Sequence, residues 1–186
     1  MRIVGGSFKG RTLVAPEGRD TRPTTDRARE AVFNILEHAV WSGGVEGKRI
    51  LDLFAGSGAL GFEALSRGAS FCLFVETDAA ARGAIRDNIE ALGVFGDTRI
   101  HRRDAADLGQ RPAGLDAPFD LVFLDPPYHK DLGEAALKIL APGGWITPDA
   151  RIAFECAADE TPAHDGFTLL DERTYGAAKM LFLKPA

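Results

Sequence analysis

The stretch Leu51–Gly61, L-D-L-F-A-G-S-G-A-L-G, decides the fold that this chain is expected to adopt. The apolar run Arg49–Phe54 leads into a glycine turn, and Ala59–Arg67 continues with the composition of a helix. The turn Gly56–Gly61 has the spacing G-x-G-x-x-G, which joins the first strand to the first helix in dinucleotide-binding sheets. An acid, Glu76, follows about 20 residues further on, where such sheets hold a ribose. The stretch therefore predicts a strand, a ligand-binding turn and a helix.

Outward from this turn, predicted strands and helices alternate along the chain. Five apolar runs are predicted to be strands and three helices lie between them, whereas two final strands have no helix between them. The strands are 49–54, 71–75, 98–102, 121–124, 151–156, 167–174 and 179–184, and the helices are 59–67, 79–92 and 132–140. This order predicts an α/β fold with a doubly wound, mostly parallel seven-stranded sheet and an antiparallel strand near one edge.

A basic segment precedes this alternation. Arg2–Val4 and Arg11–Ala15 are predicted to form a small β-hairpin around glycines. Thr25 is then expected to cap a first helix that keeps its apolar positions in helical period and ends before Gly43. We therefore expect residues 1–24 to be an N-terminal extension and residues 25–186 to be the main domain.

Composition is that of an ordinary soluble protein with one core, since 45% of the 186 residues are hydrophobic and 26% are charged. No segment approaches the roughly 20 apolar residues that cross a bilayer. The two cysteines, Cys72 and Cys156, lack metal-ligand or redox spacing, and the histidines are scattered. We therefore expect a cytoplasmic protein without a metal site.

Charge is unevenly distributed, although the net charge is only −5. Residues 1–30 carry seven Lys/Arg and four Asp/Glu, so the rest of the chain is strongly acidic. A protein with a basic end and an acidic body can still hold phosphate groups with one face.

Three acids are expected to meet at the carboxyl ends of the first three parallel strands: Asp52, Glu76 and Asp104. They would repel a pyrophosphate, but they suit a ligand with an ammonium group, a ribose and an amine-bearing base. S-adenosylmethionine has all three, so it is favoured over a dinucleotide. The residues expected to bind it are Asp52, Phe54, Gly56, Ser57, Gly58, Glu76, Thr77, Asp104 and Ala105.

The motif Asp125-Pro126-Pro127-Tyr128 follows an apolar strand and indicates the chemistry. Two prolines fix the backbone and remove two N–H donors, so the carbonyl oxygens and the Asp125 carboxylate can accept hydrogen bonds from an amine. Tyr128 can stack on a planar ring. We expect these four residues to hold an exocyclic amine for methyl transfer, because positioning supplies most of the acceleration when the cofactor brings the reactive group.

The chain resembles the bacterial small-subunit rRNA guanine-N2 methyltransferases, which act on guanine-966 of 16S rRNA. The resemblance spans nearly the whole chain and is carried by R-I-V-G-G-S-F-K-G-R at 2–11, R-P-T-T-D-R-A-R-E at 22–30, the stretch 52–69 and D-P-P-Y at 125–128. It implies a class I methyltransferase sheet, cofactor residues at Asp52, Gly56, Gly58, Glu76 and Asp104, and a catalytic motif at 125–128. Many relatives carry Asn at 125 or Phe at 128, and D-P-P-Y also occurs in adenine-N6 and cytosine-N4 enzymes.

RNA contacts are expected from the basic front segment and from the residue after the catalytic motif, namely Lys9, Arg11, Arg22, Arg27 and His129. Arg29 belongs to the same basic cluster, although Arg27 and Arg29 could instead lie on the solvated face of the first helix. The expected partner is 16S rRNA within a protein-bound small-subunit particle, and the expected state is a monomer. Two alternatives remain: a DNA or protein N-methyltransferase with the same motif, and a non-catalytic dinucleotide- or RNA-binding module.

Overall fold

A computed structural model describes residues 1–17 and 25–186 of the chain. Within those residues four α-helices and seven strands follow one another in the order that the sequence predicts. The helices are α1 (Asp26–His38), α2 (Ala59–Ser66), α3 (Ala79–Leu92) and α4 (Leu132–Leu140). The strands are β1 (Arg49–Leu53), β2 (Phe71–Val75), β3 (Thr98–His101), β4 (Phe119–Leu124), β5 (Ile146–Ala157), β6 (Phe167–Tyr175) and β7 (Ala178–Pro185).

The seven strands form one sheet in the order β3-β2-β1-β4-β5-β7-β6. The first five strands of this order pair in parallel, and β7 pairs antiparallel with both β5 and β6. The prediction of a mostly parallel doubly wound sheet with an antiparallel strand near one edge is therefore confirmed. The strand order changes direction between β1 and β4, because β2 and β3 lie on one side of β1 whereas β4 and β5 lie on the other. The carboxyl ends of β1 and β4 therefore flank the crevice where such sheets bind ligands.

The central parallel strands β1, β2 and β4 are buried on both faces, which explains their nearly continuous apolar sequences. On β1, Ile50 faces a core shared with α1, α2 and α3, whereas Leu51 and Leu53 face a second core under α4. Because successive side chains of a strand point to opposite faces, Asp52 points to the same face as Ile50 and not toward α4. The sheet thus separates two hydrophobic cores and carries an acid among them.

Two of the four described helices, α1 and α3, start at residues whose side chains cap them. The Oγ1 of Thr25 accepts a hydrogen bond from the Ala28 N–H at 3.1 Å, as predicted for the start of α1. Asp78 caps α3 in the same way through the Ala81 N–H at 2.9 Å. Side-chain oxygens of this kind satisfy N–H groups that the first helical turn leaves unpaired.

The N-terminal segment packs onto this core. Its predicted hairpin is reduced to a single antiparallel bridge between Arg2 and Thr12, because few backbone hydrogen bonds connect the two arms. Ile3 and Leu13 are almost fully buried, and the Val4 N–H donates to Glu63 of α2 at 3.0 Å. The segment is therefore held by α2 as well as by its own pairing.

In the part of the chain that the structure describes, no helix has the length and apolar character needed to cross a membrane.

Candidate active site

A cavity of about 750 Å³ opens at the carboxyl ends of the central parallel strands. Its walls come from the glycine turn after β1, from the residues that follow β2, β3 and β4, and from β5 and the N-terminal segment. The lining residues are Met1, Ala15, Pro16, Arg29, Asp52, Phe54, Ala55, Gly56, Ser57, Ala59, Leu60, Glu76, Thr77, Asp104, Asp125, Pro126, Pro127, Tyr128, Leu132 and Glu155. Eleven of the residues predicted to bind cofactor or substrate are therefore brought together, as the topology requires.

The three glycines of the turn have different roles. Gly56 adopts a left-handed conformation with φ of +59° and faces open space, so its backbone lines the cavity. Gly58, at φ of +81°, and Gly61 instead face aromatic rings, because an added Cβ would lie 2.7 Å from Phe62 and 2.4 Å from Phe74 respectively. Only Gly56 has the position predicted for cofactor contact, whereas Gly58 lies outside the lining and allows α2 to pack closely on β2.

Two of the acids are fixed by backbone N–H groups. Glu76 accepts from the Gly56 N–H at 3.0 Å and from the Asp78 N–H at 3.1 Å, which holds its carboxylate against the glycine turn. Asp52 accepts from the Gly61 N–H at 3.1 Å. Both acids are more than nine-tenths buried, and each carboxylate still faces the cavity.

Burial strongly raises the pKa of the Asp52 carboxyl, and the neighbouring Glu76 raises it further, although the bond from Gly61 opposes both effects. A buried acid beside another acid is stabilised by a bound cation, since an opposite charge favours the ionised form. Asp104 also accepts from a backbone N–H, that of Ala106 at 2.9 Å. It differs from the other two acids in being exposed at the rim of the cavity.

The predicted catalytic motif Asp125–Tyr128 directly follows β4. The Asp125 N–H points to the Leu53 carbonyl at 3.5 Å, so the motif begins beside the glycine turn. Pro126 is buried, Pro127 is exposed, and Tyr128 is partly exposed beside them. All four residues line the cavity, with no N–H donor at the two prolines.

Glu155 lines the cavity, although the sequence did not single it out. It lies on β5 and is only 8% exposed. Its carboxyl is hydrogen-bonded to that of Asp125, and burial followed by this contact raises the pKa of Asp125 well above its usual range. An acid inside the apolar run R-I-A-F-E-C-A was the available signal, because a charged residue is rarely buried unless it is paired.

The remaining predicted residues lie outside the cavity. Ala105 is buried in the core under α4, and Lys9, Arg11 and Arg27 are exposed. The Arg11 guanidinium also donates to the Ala91 carbonyl at 2.6 Å. Arg22 is outside the described residues.

His129 faces acids and not the cavity. Its Nε2 lies 3.4 Å from Asp159, and its backbone N–H donates to Glu160 at 2.8 Å. Glu160 also accepts from the Ala157 N–H at 2.6 Å. Glu160 therefore joins the loop after the catalytic motif to the end of β5, and His129 forms part of that junction.

Arg29 does not lie on the solvated face of α1, so the suggestion that Arg27 and Arg29 both lie there is wrong for Arg29. Its side chain is fully buried, donates to Asp26 at 2.9 Å and lies 3.4 Å from Glu63. It also donates to the Arg2 carbonyl and lines the cavity. Arg29 thus connects α1, α2 and the N-terminal segment at the cavity wall. Arg27 is exposed, as a contact with RNA would require.

A sheet of this order, with β7 antiparallel between β5 and β6 and with acids at the carboxyl ends of β1 and β2, is that of a class I S-adenosylmethionine-dependent methyltransferase. The family model described as "Conserved hypothetical protein 95" matches residues 1–184. This chain therefore belongs to that family.

Relatives of known sequence agree with the class. Ribosomal RNA small subunit methyltransferase D of Haemophilus influenzae is 36% identical over 180 residues, which cover 95% of this chain and 89% of that protein. The protein of the same name from Escherichia coli K12 is 38% identical over 156 residues, which cover 83% of this chain and 74% of that protein. The solved structure of the Escherichia coli protein yhhF has a TM-score of 0.80 at 33% identity and covers 100% of this chain and 97% of its own. The resemblance to small-subunit rRNA methyltransferases that the sequence motifs indicate is therefore confirmed.

Proposed function

We propose that this protein transfers a methyl group from S-adenosylmethionine to the exocyclic N2 amine of a guanine in 16S rRNA, and that the guanine is number 966. One observation carries the proposal: Asp125–Tyr128 lines the same cavity as the three acids of β1, β2 and β3. The names of the curated relatives, which are ribosomal RNA small subunit methyltransferases, support rRNA as the substrate class.

The residues present fit the cofactor. Asp52 and Glu76 are both buried carboxyls. Burial and the neighbouring Glu76 raise the pKa of Asp52, so a cationic amino acid group beside the two acids would relieve their repulsion. Glu76 is held at the glycine turn and lines the cavity, where ribose hydroxyls would donate to it. Asp104 at the rim is placed to accept from the amine of an adenine.

When bound, this cofactor supplies an electrophilic methyl group on a positively charged sulfur. The chain's own residues position the nucleophile. The Asp125 carboxylate and the carbonyl oxygens around Pro126 accept hydrogen bonds from the amine, and Tyr128 stacks on the base. As the amine takes the methyl group, the S–CH₃ bond would break with its electron pair left on the sulfur, and the amine nitrogen would become positively charged and acidic. The Asp125 carboxylate would accept the proton that this nitrogen loses. Positioning and electrostatic stabilisation of this kind supply most of the catalysis.

RNA contact is assigned to the exposed basic residues of the front segment. Lys9, Arg11 and Arg27 are exposed, and phosphate contacts from such residues fix the position of an RNA without reading its sequence. We assign the same role to Arg22 and extend the RNA-contact region over residues 1–24, with the methyltransferase domain at 25–186. His129 is the weakest member of this set because it faces Asp159 and Glu160.

So small a basic surface favours a target presented by ribosomal proteins. We therefore propose that a cytoplasmic, monomeric enzyme acts on a protein-bound small-subunit particle. The target guanine has to leave its stack to reach Tyr128, and an RNA loop lowers the cost of that step.

The test is methyl transfer from labelled S-adenosylmethionine to 16S rRNA that lacks the modification, both naked and in small-subunit particles, followed by nucleoside analysis. We expect N2-methylguanosine at position 966, a faster reaction on particles, and loss of the product with Asp125→Ala. Asp149→Ala is the matched control, because Asp149 is an exposed carboxylate on β5 outside the cavity. Label in N6-methyladenine, or in DNA or protein alone, contradicts the guanine assignment. Equal rates of methylation on naked RNA and on particles contradict the proposal that the substrate is a protein-bound particle.

A further inference from the structure

Glu155 and Asp125 lie side by side at the carboxyl ends of neighbouring strands. β4 and β5 are parallel, with Leu124 opposite Phe154, so the next residue of each strand is Asp125 or Glu155. Both side chains line the cavity, and their carboxyls are hydrogen-bonded to each other. Glu155 is 8% exposed, and a glutamate is rarely buried to this extent unless it is paired.

The sheet order places Glu155 on the side of the cavity away from the acids assigned to the cofactor. Asp104, Glu76 and Asp52 follow or lie on β3, β2 and β1, which are on one side of β4. Glu155 lies on β5, on the other side of β4. A base held by the motif after β4 therefore has the cofactor acids on one side and Glu155 on the other.

A pair of adjacent carboxyls matches one base better than the others. Guanine presents two neighbouring donors on its Watson–Crick edge, the exocyclic N2 amine and the ring N1–H. Adenine and cytosine present an exocyclic amine beside a ring nitrogen that has no hydrogen and can only accept. An ionised carboxylate can only accept hydrogen bonds, so it pairs with the N1–H of guanine. With adenine or cytosine the carboxylate would face the lone pair of the ring nitrogen, which cannot donate.

We propose that Glu155 accepts a hydrogen bond from the ring N1–H of the target guanine while Asp125 holds the N2 amine, and that Glu155 thereby selects guanine. This inference rests on the proposed function, because it names the group that selects the base for that reaction. Glu155 acts as a specificity-determining residue, and Asp125 remains the residue that contacts the reacting amine.

The contact between the two carboxyls is consistent with this role. Adjacent carboxylates repel each other, and donors that reach both of them relieve that repulsion. The two donors of guanine do so, because each carboxylate then receives an N–H of its own. A base with a single donor leaves one buried carboxylate without a partner, and sites of this kind reject such analogues strongly.

The test is a competition between two RNAs that differ only at the target base. One carries guanine and the other carries 2-aminopurine, which keeps the 2-amine but has an acceptor at N1. Both are assembled into the small-subunit particles used above and mixed in one tube with wild-type enzyme or Glu155→Gln. The ratio of the two products is independent of the folded fraction of enzyme, so partial misfolding of a variant does not affect it.

The wild-type enzyme is expected to prefer guanine by at least about 100-fold. In Glu155→Gln, the amide N–H can donate to the ring acceptor, so this preference should fall by at least tenfold. Glu155→Asp keeps a carboxylate and should keep the preference at a lower rate. Glu90→Gln, an exposed acid on α3, is the matched control and should behave like wild type.

Three results would overturn the inference. An unchanged preference in Glu155→Gln excludes Glu155 as the selecting residue while leaving the proposed function standing. Loss of both products by a folded Glu155→Gln assigns Glu155 to the methyl transfer itself and not to selection. Failure of the wild-type enzyme to methylate guanine contradicts the proposed function, and the inference with it.

Discussion

Gly61→Ala is expected to destabilise the protein, although alanine is the better helix former. Gly61 lies inside α2, where the structure leaves no room for a side chain. An added Cβ would lie 2.4 Å from a ring carbon of Phe74, 2.6 Å from the Cys72 sulfur and 3.0 Å from an Asp52 carboxylate oxygen. Distances below 3.0 Å do not occur for real Cβ atoms, so a neighbour must move. Phe74 and Cys72 are fully buried and have nowhere to move without disturbing the core.

The magnitude follows from two opposing effects. Alanine stabilises a helix interior by about 1 kcal/mol relative to glycine. Overpacking a well-packed core costs about 1–3 kcal/mol, and two contacts this short put Gly61 at the upper end of that range. We therefore expect a net loss of about 2 kcal/mol in the free energy of unfolding. For a chain of this length the corresponding fall in Tm is about 4–8 °C.

Gly83→Ala is the matched control. Gly83 also lies inside a helix, α3, but an added Cβ there meets nothing within 4 Å. That variant should gain about 1 kcal/mol, so the two substitutions should differ by about 3 kcal/mol. Urea unfolding followed by circular dichroism measures both. If Gly61→Ala is as stable as Gly83→Ala, the third glycine of the turn is not there for close packing and the reasoning is refuted.

Three further predictions concern the acids. Asp52→Asn should weaken S-adenosylmethionine binding by about 10- to 100-fold, since a hydrogen bond to a charged group contributes about 1.5–3 kcal/mol; calorimetric titration measures this, and an unchanged Kd contradicts the ammonium contact. Glu63→Gln should lower the free energy of unfolding by about 3–5 kcal/mol, because fully buried Glu63 accepts from Val4, Gly5 and Arg67; a loss below 1 kcal/mol in urea unfolding argues against that network. Burial, the bond to Glu155 and the nearby Asp52 raise the pKa of Asp125 in that order, and only the ionised form accepts the amine. Activity should therefore fall on acidification at a pH above the usual Asp pKa of about 3.9, and a kcat/KM that is flat from about pH 8 to pH 5 speaks against this.

The sequence predicts well where strong local signals and the tertiary structure agree. The predicted bounds of β2 and α3 match the structure, because a continuous apolar run defines the strand and Asp78 and Gly93 define both ends of the helix. β5 begins five residues earlier than predicted. Pro148 interrupts the apolar pattern there, and the register between β4 and β5 shifts near Phe119, so the early part of the strand pairs irregularly.

The site was less predictable, because contacts distant in sequence decide which residues meet. Asp52 was found because it interrupts an apolar strand just before a glycine turn. Glu155 interrupts an apolar strand in the same way, but no motif follows it, and its partner Asp125 is thirty positions away. The sequence alone suggests that Arg29 is an exposed helix residue. It is buried because the N-terminal segment and α2 both pack against it.

Five neighbouring parallel strands each bring one acid to the cavity: Asp104 after β3, Glu76 after β2, Asp52 on β1, Asp125 after β4 and Glu155 on β5. Parallel pairing forces this arrangement, since all carboxyl ends of such strands meet at one edge. The carboxylates at this edge repel one another, and a positively charged or donor-rich ligand would reduce that electrostatic repulsion. Substrate and cofactor of the proposed reaction together supply an ammonium, a sulfonium, ribose hydroxyls and the N–H groups of two bases. In the proposed reaction, the order of the strands would match the order of the ligands' donors, with the adenosine end at β3 and the target base between β4 and β5.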